Sequence, residues 1–444
     1  MNISIIGAGY VGLVSGICLA EKGHNVICVD VDLEKVEKIN RGEAPIHEQG
    51  LDALLQKQVG RRFSATTDLD AAVRGSALTM IAVGTPFDGR HIDLRFIRNA
   101  ASGVGQVLKT KPGYHVVVVK STVVPGTTGG MVRETLESAS EKSAGADFGL
   151  GMNPEFLTEG VAIRDFMNPD RIVLGGIDQR SRDVLRKVYA GFSESPILET
   201  NTSTAELIKY TSNALLATMI SFANEIAGLA SAIGGIDASE VMQAVHLSEY
   251  LSMQVDGDRK KAKITSFLNP GCGFGGSCLP KDVNALAAQG SEFGLEMGIL
   301  RQVMIINAGQ PAKMLELLGR FFPDIRGKKI GVLGLAFKEG TDDMRESPAV
   351  SIVQGLADAG AIIVAYDPIA MPAARKLLSE NVIYAESLDD AVAKSEALML
   401  ITRWEEFLEL PALIKKLGKP NIPIIDGRRF INKDSIENYA GIGL

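Results

Sequence analysis

Gly7-Ala8-Gly9-Tyr10-Val11-Gly12 follows directly on the β-branched run Ile3-Ser4-Ile5-Ile6. This spacing, held between a strand and a helix, leaves few folds open. Gly7 suits a tight turn, Gly9 a close approach of backbone to a ligand, and Gly12 the packing of helix on strand. An amphipathic segment, Val11 to Lys22, comes next. A second strand, Asn25-Val26-Ile27-Cys28-Val29, then runs into Asp30, 23 residues after Gly7. That interval is the one a dinucleotide-binding βαβ unit needs. A diphosphate would face the amides of Gly9, Tyr10 and Val11 at the helix start. Asp30 would accept hydrogen bonds from the adenosine ribose and repel a 2′-phosphate, which favours NAD over NADP. Lys35 lies close enough to touch a phosphate or ribose and tempers that preference.

Two further runs rich in valine and isoleucine, Leu78 to Val83 and His115 to Val119, alternate with helix-length segments. They predict a parallel sheet over residues 1–200. Residues 201–300 lack such runs. Apolar residues recur there at helical spacing from Ile208 to Ile233 and end at Gly234-Gly235. Ser203 and Glu206 fit a capping box. The implied helix, Thr202 to Ile233, would be ~48 Å long, a spine between domains or a dimer face. Residues 301–444 return to α/β texture, with strands at Lys329–Gly334, Ile362–Tyr366, Ala397–Ile401 and Pro423–Asp426. The expected architecture is α/β: a Rossmann-type parallel sheet, a central helical domain with a long spine helix, and a C-terminal Rossmann-like domain.

Other classes are disfavoured. A net charge of −7 gives nucleic acid no electrostatic support, although Arg259-Lys260-Lys261 suits a small polyphosphate. The start has no signal-peptide pattern. No apolar stretch is expected to reach the ~20 residues of a membrane span. Four cysteines make no disulfide framework, and five unclustered histidines make no metal site. The chain therefore reads as a cytoplasmic enzyme without a metal.

Gly271-Cys272-Gly273-Phe274-Gly275-Gly276-Ser277-Cys278-Leu279-Pro280-Lys281-Asp282 carries four glycines in six residues, Gly271 to Gly276. Such a run suits close approach of a ligand. With Pro280 at a first helical position, Cys278 would stand at a helix start, where the dipole favours thiolate. A structural role for Cys278 stays open at this level. Cys18 and Cys28, on apolar faces, read as core.

With these residues in view, the chain resembles the UDP-glucose/GDP-mannose dehydrogenase family from end to end. The resemblance is carried by the first glycine motif, Val83-Gly84-Thr85-Pro86, Lys120-Ser121-Thr122-Val123-Val124-Pro125-Gly126-Thr127, Asn153-Pro154-Glu155-Phe156-Leu157, Lys209 with Asn213, Gly275 to Asp282, Leu335-Ala336-Phe337-Lys338, and Arg345-Glu346-Ser347-Pro348. It implies a four-electron oxidation of a nucleotide sugar at C6, with two NAD reduced in turn and a thioester on Cys278. It implies Lys209 and Asn213 as oxyanion partners, Asp282 and Thr122 beside water, and Glu155 as general base. NAD contacts fall on Thr85, Thr122, Glu159, Lys281 and Arg345. Substrate contacts fall on Glu155, Phe156, Leu157, Lys209, Asn213, Phe267, Leu268, Asn269 and Gly275, with Lys338 and Arg428 suited to a diphosphate.

Asn168-Pro169-Asp170-Arg171-Ile172-Val173 and Thr341 to Pro348 resemble the family's UDP-glucose branch, so UDP-glucose is the expected substrate and a homodimer or larger homo-oligomer the expected assembly. GDP-mannose and other nucleotide hexoses are the alternatives. The family's inter-subunit arginine has no match, because Ala262 stands there between Lys261 and Lys263, and lysine is a poorer phosphate clamp. A two-electron hydroxyacid-type dehydrogenase, which needs neither Cys278 nor a third domain, is the main rival. A non-catalytic nucleotide-sugar or dinucleotide sensor is the other.

Overall fold

The computed structural model describes residues 1–444. The chain forms two compact units, Met1–Ser212 and Asn213–Leu444. The first holds an eight-stranded sheet in the order β3-β2-β1-β4-β5-β6-β7-β8. Its strands are β1 (Asn2–Ile6), β2 (Asn25–Val29), β3 (Phe63–Thr66), β4 (Leu78–Ile81), β5 (His115–Val119), β6 (Phe148–Met152), β7 (Ile172–Gly176) and β8 (Ile197–Thr200). The β-branched runs legible in the sequence are the central strands. Every pair is parallel except β6 with β7. β6 escaped the pattern because it reads Phe-Gly-Leu-Gly-Met. Its glycines let the helix Gln179–Val188 lie close: a Cβ on Gly149 would meet the Ser181 hydroxyl at 2.8 Å, and one on Gly151 would meet Leu185 at 2.7 Å.

The spine helix spans Thr202–Ile233 as the periodicity predicted. The boundary between the units falls inside it, after Ser212. Its start differs from the expected capping box. Asn201 is the cap, its side chain accepting from the Thr204 amide at 2.8 Å. Glu206 instead accepts from the Gly126 and Thr128 amides at 2.6 and 2.8 Å and is fully buried. Tertiary contact has taken the side chain that local spacing assigned to the cap. The expectation about membrane-length segments also needs correction. This helix is long and apolar enough to cross a membrane, with a mean hydropathy of 1.4 over its apolar window. Its exposed face also carries a charge, Glu225. Lys209, Ser221 and Asn224 are buried, while Leu215, Phe222, Leu229 and Ile233 are exposed.

The second unit carries a hairpin, β9 (Ser252–Val255) and β10 (Asp258–Lys261). Asp256 and Gly257 turn it, both at positive φ, a two-residue Asp-Gly signal for a hairpin. The unit's six-stranded parallel sheet has the order β13-β12-β11-β14-β15-β16. These strands are β11 (Lys329–Leu333), β12 (Ile362–Tyr366), β13 (Ile383–Tyr384), β14 (Ala397–Leu400), β15 (Ile424–Asp426) and β16 (Tyr439–Gly441).

The two sheets repeat one another. Numbered within each unit, the second sheet runs 3-2-1-4-5-6, the doubly wound order, and the first runs the same way before β7 and β8 extend it. The likeness extends to single side chains. Gly7 and Gly334 both end the first strand at positive φ. Ser76 and Ser395 donate to Ala72 and Ala391 at the ends of matching helices. Lys111 donates to the carbonyls of Val73, Arg74 and Ser76; Lys419 donates to those of Val392, Ala393 and Ser395. Each ammonium staples shut the carbonyl end of the helix before the fourth strand, where cations are favoured. Leu69-Asp70-Ala71-Ala72-Val73 and Leu388-Asp389-Asp390-Ala391-Val392 are the sequence trace of the repeat.

A Cβ on Gly12 would lie 1.9 Å from the Gly7 carbonyl oxygen, whereas one on Gly9 would meet nothing within 4 Å. Gly12→Ala is therefore expected to destabilise the first unit by about 1–3 kcal/mol through overpacking. Gly9→Ala should leave the urea midpoint within about 0.5 kcal/mol of wild type. Equal midpoint shifts would contradict the packing role.

Candidate active site

The first glycine loop is built as a dinucleotide cradle. The Gly7 amide donates to the Val29 carbonyl at 2.7 Å, tying the loop to the end of β2. Asp30 accepts from the Ala8 amide at 2.9 Å and the Asp32 amide at 3.1 Å, and pairs with Lys35 at 3.2 Å. Burial alone would raise the Asp30 pKa; these donors outweigh it and hold the carboxyl below its ordinary value. Lys35 thus contacts the very carboxylate expected to hold the ribose. The helix Tyr10–Glu21 has no side-chain cap, so its first-turn amides have no side-chain acceptor. With the open space over Gly9, that is the arrangement a diphosphate fits.

Tyr10 does something the sequence did not reveal. Its hydroxyl donates to Glu48 and accepts from the Gly160 amide at 3.0 Å. Glu48 also accepts from the Gly160 and Ala162 amides at 2.7 and 2.8 Å. Glu48, buried and read from no motif, therefore pins the loop that carries Glu159. Thr85 donates to the Thr122 carbonyl at 2.8 Å, linking the loops after β4 and β5.

Beyond β6 lies a buried ionic cluster. Glu155 pairs with Lys209 at 2.8 Å, and both side chains are less than a tenth exposed. Glu155 also accepts from the Leu157 amide at 2.6 Å. Burial pushes the Glu155 carboxyl upward, but Lys209, the Leu157 amide and Lys120 reverse the effect and hold it below its usual range. The Phe156 ring lies under the Arg171 guanidinium at 3.8 Å and 5.6 Å from the Lys209 ammonium. Lys120, Asn153, Tyr189 and Arg171 belong to this region too, although no role for any of them follows from the motifs.

The second unit holds the cysteine loop. Cys278 is the N-cap of the helix Leu279–Glu292, with an exposed thiol 3.7 Å from the Ser277 hydroxyl. Pro280 takes the second helical position rather than the first. Asp282 is 1% exposed, and both of its oxygens are engaged: Asn213 donates at 2.6 Å and Lys281 at 2.6 Å. Asp282 therefore orients the Asn213 amide as well as lying one helical turn from Cys278.

The glycine run before Cys278 has a packing use that the sequence did not show. A Cβ on Gly275 would meet the Glu346 carbonyl oxygen at 2.0 Å, and one on Gly276 would meet the Phe337 ring at 2.8 Å. These glycines admit protein, namely the segment around Arg345 to Ser347, whose Arg345 carbonyl accepts from the Gly276 amide at 2.9 Å. The Arg345 side chain itself is exposed and paired with Asp343. Arg428 braces the loop through the Gly273 carbonyl at 2.8 Å. Asn269 turns back on Thr265 and Ser266, and Leu268 offers its carbonyl to His246. Phe267 closes the short helix Lys263–Phe267, next to the exposed Lys261 and Lys263.

Lys338 is half-buried in the loop after β11. Arg403, after β14, donates to the Arg428 carbonyl at 2.7 Å and was missed by the sequence reading. Lys338, Arg403 and Arg428 thus follow β11, β14 and β15 at the carboxyl edge of one sheet, where doubly wound folds bind ligands. Cys18, Cys28 and Cys272 are fully buried, and no cluster of metal-ligating side chains occurs.

A Rossmann-type sheet with this cradle, and a second unit presenting a cysteine at a helix start, define a dinucleotide-dependent dehydrogenase. Comparison with known proteins narrows the class. Residues 1–193 match the NAD-binding domain of the UDP-glucose/GDP-mannose dehydrogenase family, 203–309 its central domain and 331–433 its UDP-binding domain. A UDP-glucose 6-dehydrogenase of Haloferax volcanii is 41% identical, with both chains covered in full. A GDP-mannose 6-dehydrogenase of Pseudomonas aeruginosa is 40% identical over 92% of this chain and 93% of its own. The structure of a UDP-glucose dehydrogenase from Pyrobaculum islandicum superposes with a TM-score of 0.90 at 36% identity, covering 99% of this chain and 97% of that one. The chain belongs to the UDP-glucose/GDP-mannose dehydrogenase family: it is an NAD-dependent nucleotide-sugar 6-dehydrogenase.

Glu155→Gln would leave the Lys209 ammonium buried without its counter-ion, at an expected cost of about 3–5 kcal/mol. Glu155 has a depressed pKa, so its stabilisation is complete above the unfolded value of about 4.3 and is lost as pH falls below it. The urea-midpoint gap between wild type and variant should be constant from pH 8 to 5 and close below pH 4. A gap that stays constant down to pH 3 would show that the ionised pair is not its source.

Proposed function

We propose that the chain oxidises UDP-glucose to UDP-glucuronate in a four-electron reaction, with Cys278 as the covalent nucleophile. The observation that carries this reading is the exposed Cys278 thiol at a helix start, beside an Asp282 that holds Asn213 and Lys281. A two-electron dehydrogenase has no use for such a thiol.

NAD, when bound, accepts a hydride in each oxidation. Gly7, Gly9, Tyr10, Val11 and Gly12 would hold its diphosphate and Asp30, with Lys35, its ribose. Thr85, Thr122, Glu159, Lys281 and Arg345 would lie toward the nicotinamide. The substrate's C6 hydroxyl gives up its proton as the first hydride departs, leaving an aldehyde. The Cys278 sulfur adds to that carbonyl carbon, and the new oxygen takes a proton from the Lys209 side. Loss of the second hydride and that proton gives a thioester. Water, placed by Asp282 and Thr122 and deprotonated toward Glu155, adds to the acyl carbon; the C–S bond breaks and the thiol is regenerated with the uronate.

Lys209 and Asn213, four residues apart on one helix, would steady the oxyanions. Phe156, Leu157, Phe267, Leu268, Asn269 and Gly275 would line the sugar-nucleotide pocket. Lys338 and Arg428 would meet the diphosphate. The reading includes the three-part division at residues 200 and 300. It also includes a homodimer or larger homo-oligomer on the exposed apolar face of the spine helix, and a cytoplasmic setting where NAD and sugar nucleotides circulate. GDP-mannose is the second substrate reading, supported by the comparable identity to a GDP-mannose 6-dehydrogenase.

With UDP-glucose limiting and NAD in excess, two NADH should form per sugar. GDP-mannose and UDP-N-acetylglucosamine should give under a tenth of the rate. Cys278→Ser should abolish uronate release, and Lys209→Ala should lose at least a hundredfold in kcat while sugar-nucleotide binding persists. A stoichiometry of one NADH, or uronate formed at wild-type rate by Cys278→Ser, would overturn the thioester mechanism. Faster turnover of GDP-mannose would overturn the substrate assignment.

A further inference from the structure

Lys120 is an expensive residue where it stands. It follows β5 and is 3% exposed. Its neighbour across the strands is Asn153, which follows β6; Val119 pairs with Met152, and the Asn153 amide donates to the Val119 carbonyl at 2.9 Å. The ammonium donates to Asn153 Oδ1 at 2.9 Å and reaches the Tyr189 hydroxyl at 3.5 Å, with the Phe166 ring 5.8 Å away. Asn153 is itself fixed: its Nδ2 donates to the Val173 carbonyl at 2.9 Å, and its Oδ1 also accepts from Tyr189. Asn153 and Tyr189 are, like Lys120, less than a tenth exposed. Both oxygens that meet the ammonium are thus neutral. A buried cation held only by neutral acceptors costs stability that a methionine of similar length would avoid. Its presence calls for a use of the charge.

The charge acts on Glu155, two residues beyond Asn153. The titratable groups facing Lys120 are Glu155 from the loop after β6, Lys209 from the spine helix and Tyr189 from the end of the preceding helix. Burial would raise the Glu155 carboxyl, but Lys209, the Leu157 amide and Lys120 hold it below its ordinary range, so two lysines act on this one anion. We propose that Lys120 is a positioning residue for the Glu155–Lys209 pair: an ammonium tethered by Asn153 and Tyr189 that keeps Glu155 ionised and leaves the cluster one positive charge in excess. That surplus favours a developing negative charge at the site and eases proton release from Lys209. Burial pushes Lys120 down to about 8, whereas Tyr189 is driven up by burial, so of these two Lys120 is the one that changes charge near neutral pH. The inference rests on the reading of Glu155 and Lys209 as reaction groups.

The test compares Lys120→Met, Lys120→Arg and Tyr189→Phe in the full chain. The Glu155 carboxyl is followed by infrared difference spectroscopy on protein carrying 13C-glutamate, its band identified by subtraction of Glu155→Gln. In Lys120→Met the Glu155 midpoint should rise by at least one pH unit, and kcat should fall at least tenfold with KM for the nucleotide sugar within threefold. Lys120→Arg should restore the carboxyl midpoint, because the charge returns. Tyr189→Phe should move the alkaline midpoint of kcat downward, because the ammonium loses an acceptor. An unmoved Glu155 midpoint in Lys120→Met overturns the proposal, and so does an equal shift in Lys120→Arg, which would make shape rather than charge responsible. If Lys120→Met does not fold, Tyr189→Phe decides: an unmoved alkaline midpoint overturns the proposal. Shifted carboxyl midpoints without turnover of any nucleotide sugar would support the proposal and refute the reading of the reaction.

Discussion

A carboxylate at the end of the second strand closes the first turn of both sheets, and the division of labour between the two units follows from how fully each one is used. Asp30 accepts from two backbone amides and meets Lys35, with its loop open above Gly9. Asp367, its counterpart, accepts from the amides of Leu335, Ala336, Ile369 and Ala370 and from the Trp404 indole, and is 1% exposed. A carboxylate so saturated has nothing left for a ribose. The second sheet keeps the turn of a dinucleotide fold without its ribose acceptor. It offers cations at the carboxyl edge instead, in keeping with the UDP-binding family domain matched there.

The residues proposed to carry the chemistry are polar side chains in places where burial is costly. Glu155, Lys209 and Asp282 are all nearly inaccessible, and each is balanced by a partner within hydrogen-bonding reach. Low dielectric strengthens every such pair and penalises any that is broken. Removing one partner from either pair would therefore leave the other buried and uncompensated.

Much of this was legible in the sequence. The central strands announced themselves by valine and isoleucine, and the spine helix by its period. The two glycine motifs marked the cradle and the cysteine loop. What escaped was set by tertiary contact. β6 hides behind packing glycines. Glu206 fits a capping box by spacing, yet serves a loop far away in sequence. Glu48 and Tyr189 sit in no motif and gain their roles only when the chain brings them to Gly160 and Asn153. The packing of Gly275 and Gly276 against Glu346 and Phe337 is invisible in the sequence, which shows a missing side chain but not what fills the gap. The internal repeat was faint, since only the stretch near Leu69 and Leu388 kept its letters.

The paired lysine staples have a consequence for how the protein fails. Lys111 and Lys419 grip carbonyl oxygens rather than carboxylates, so added salt has no counter-charge to screen. Burial lowers the pKa of both. Alkali acts in the same direction on both clasps, one in each unit. Two regions far apart in sequence thereby share one chemical weakness, so the likeness of the two sheets extends to how each is undone.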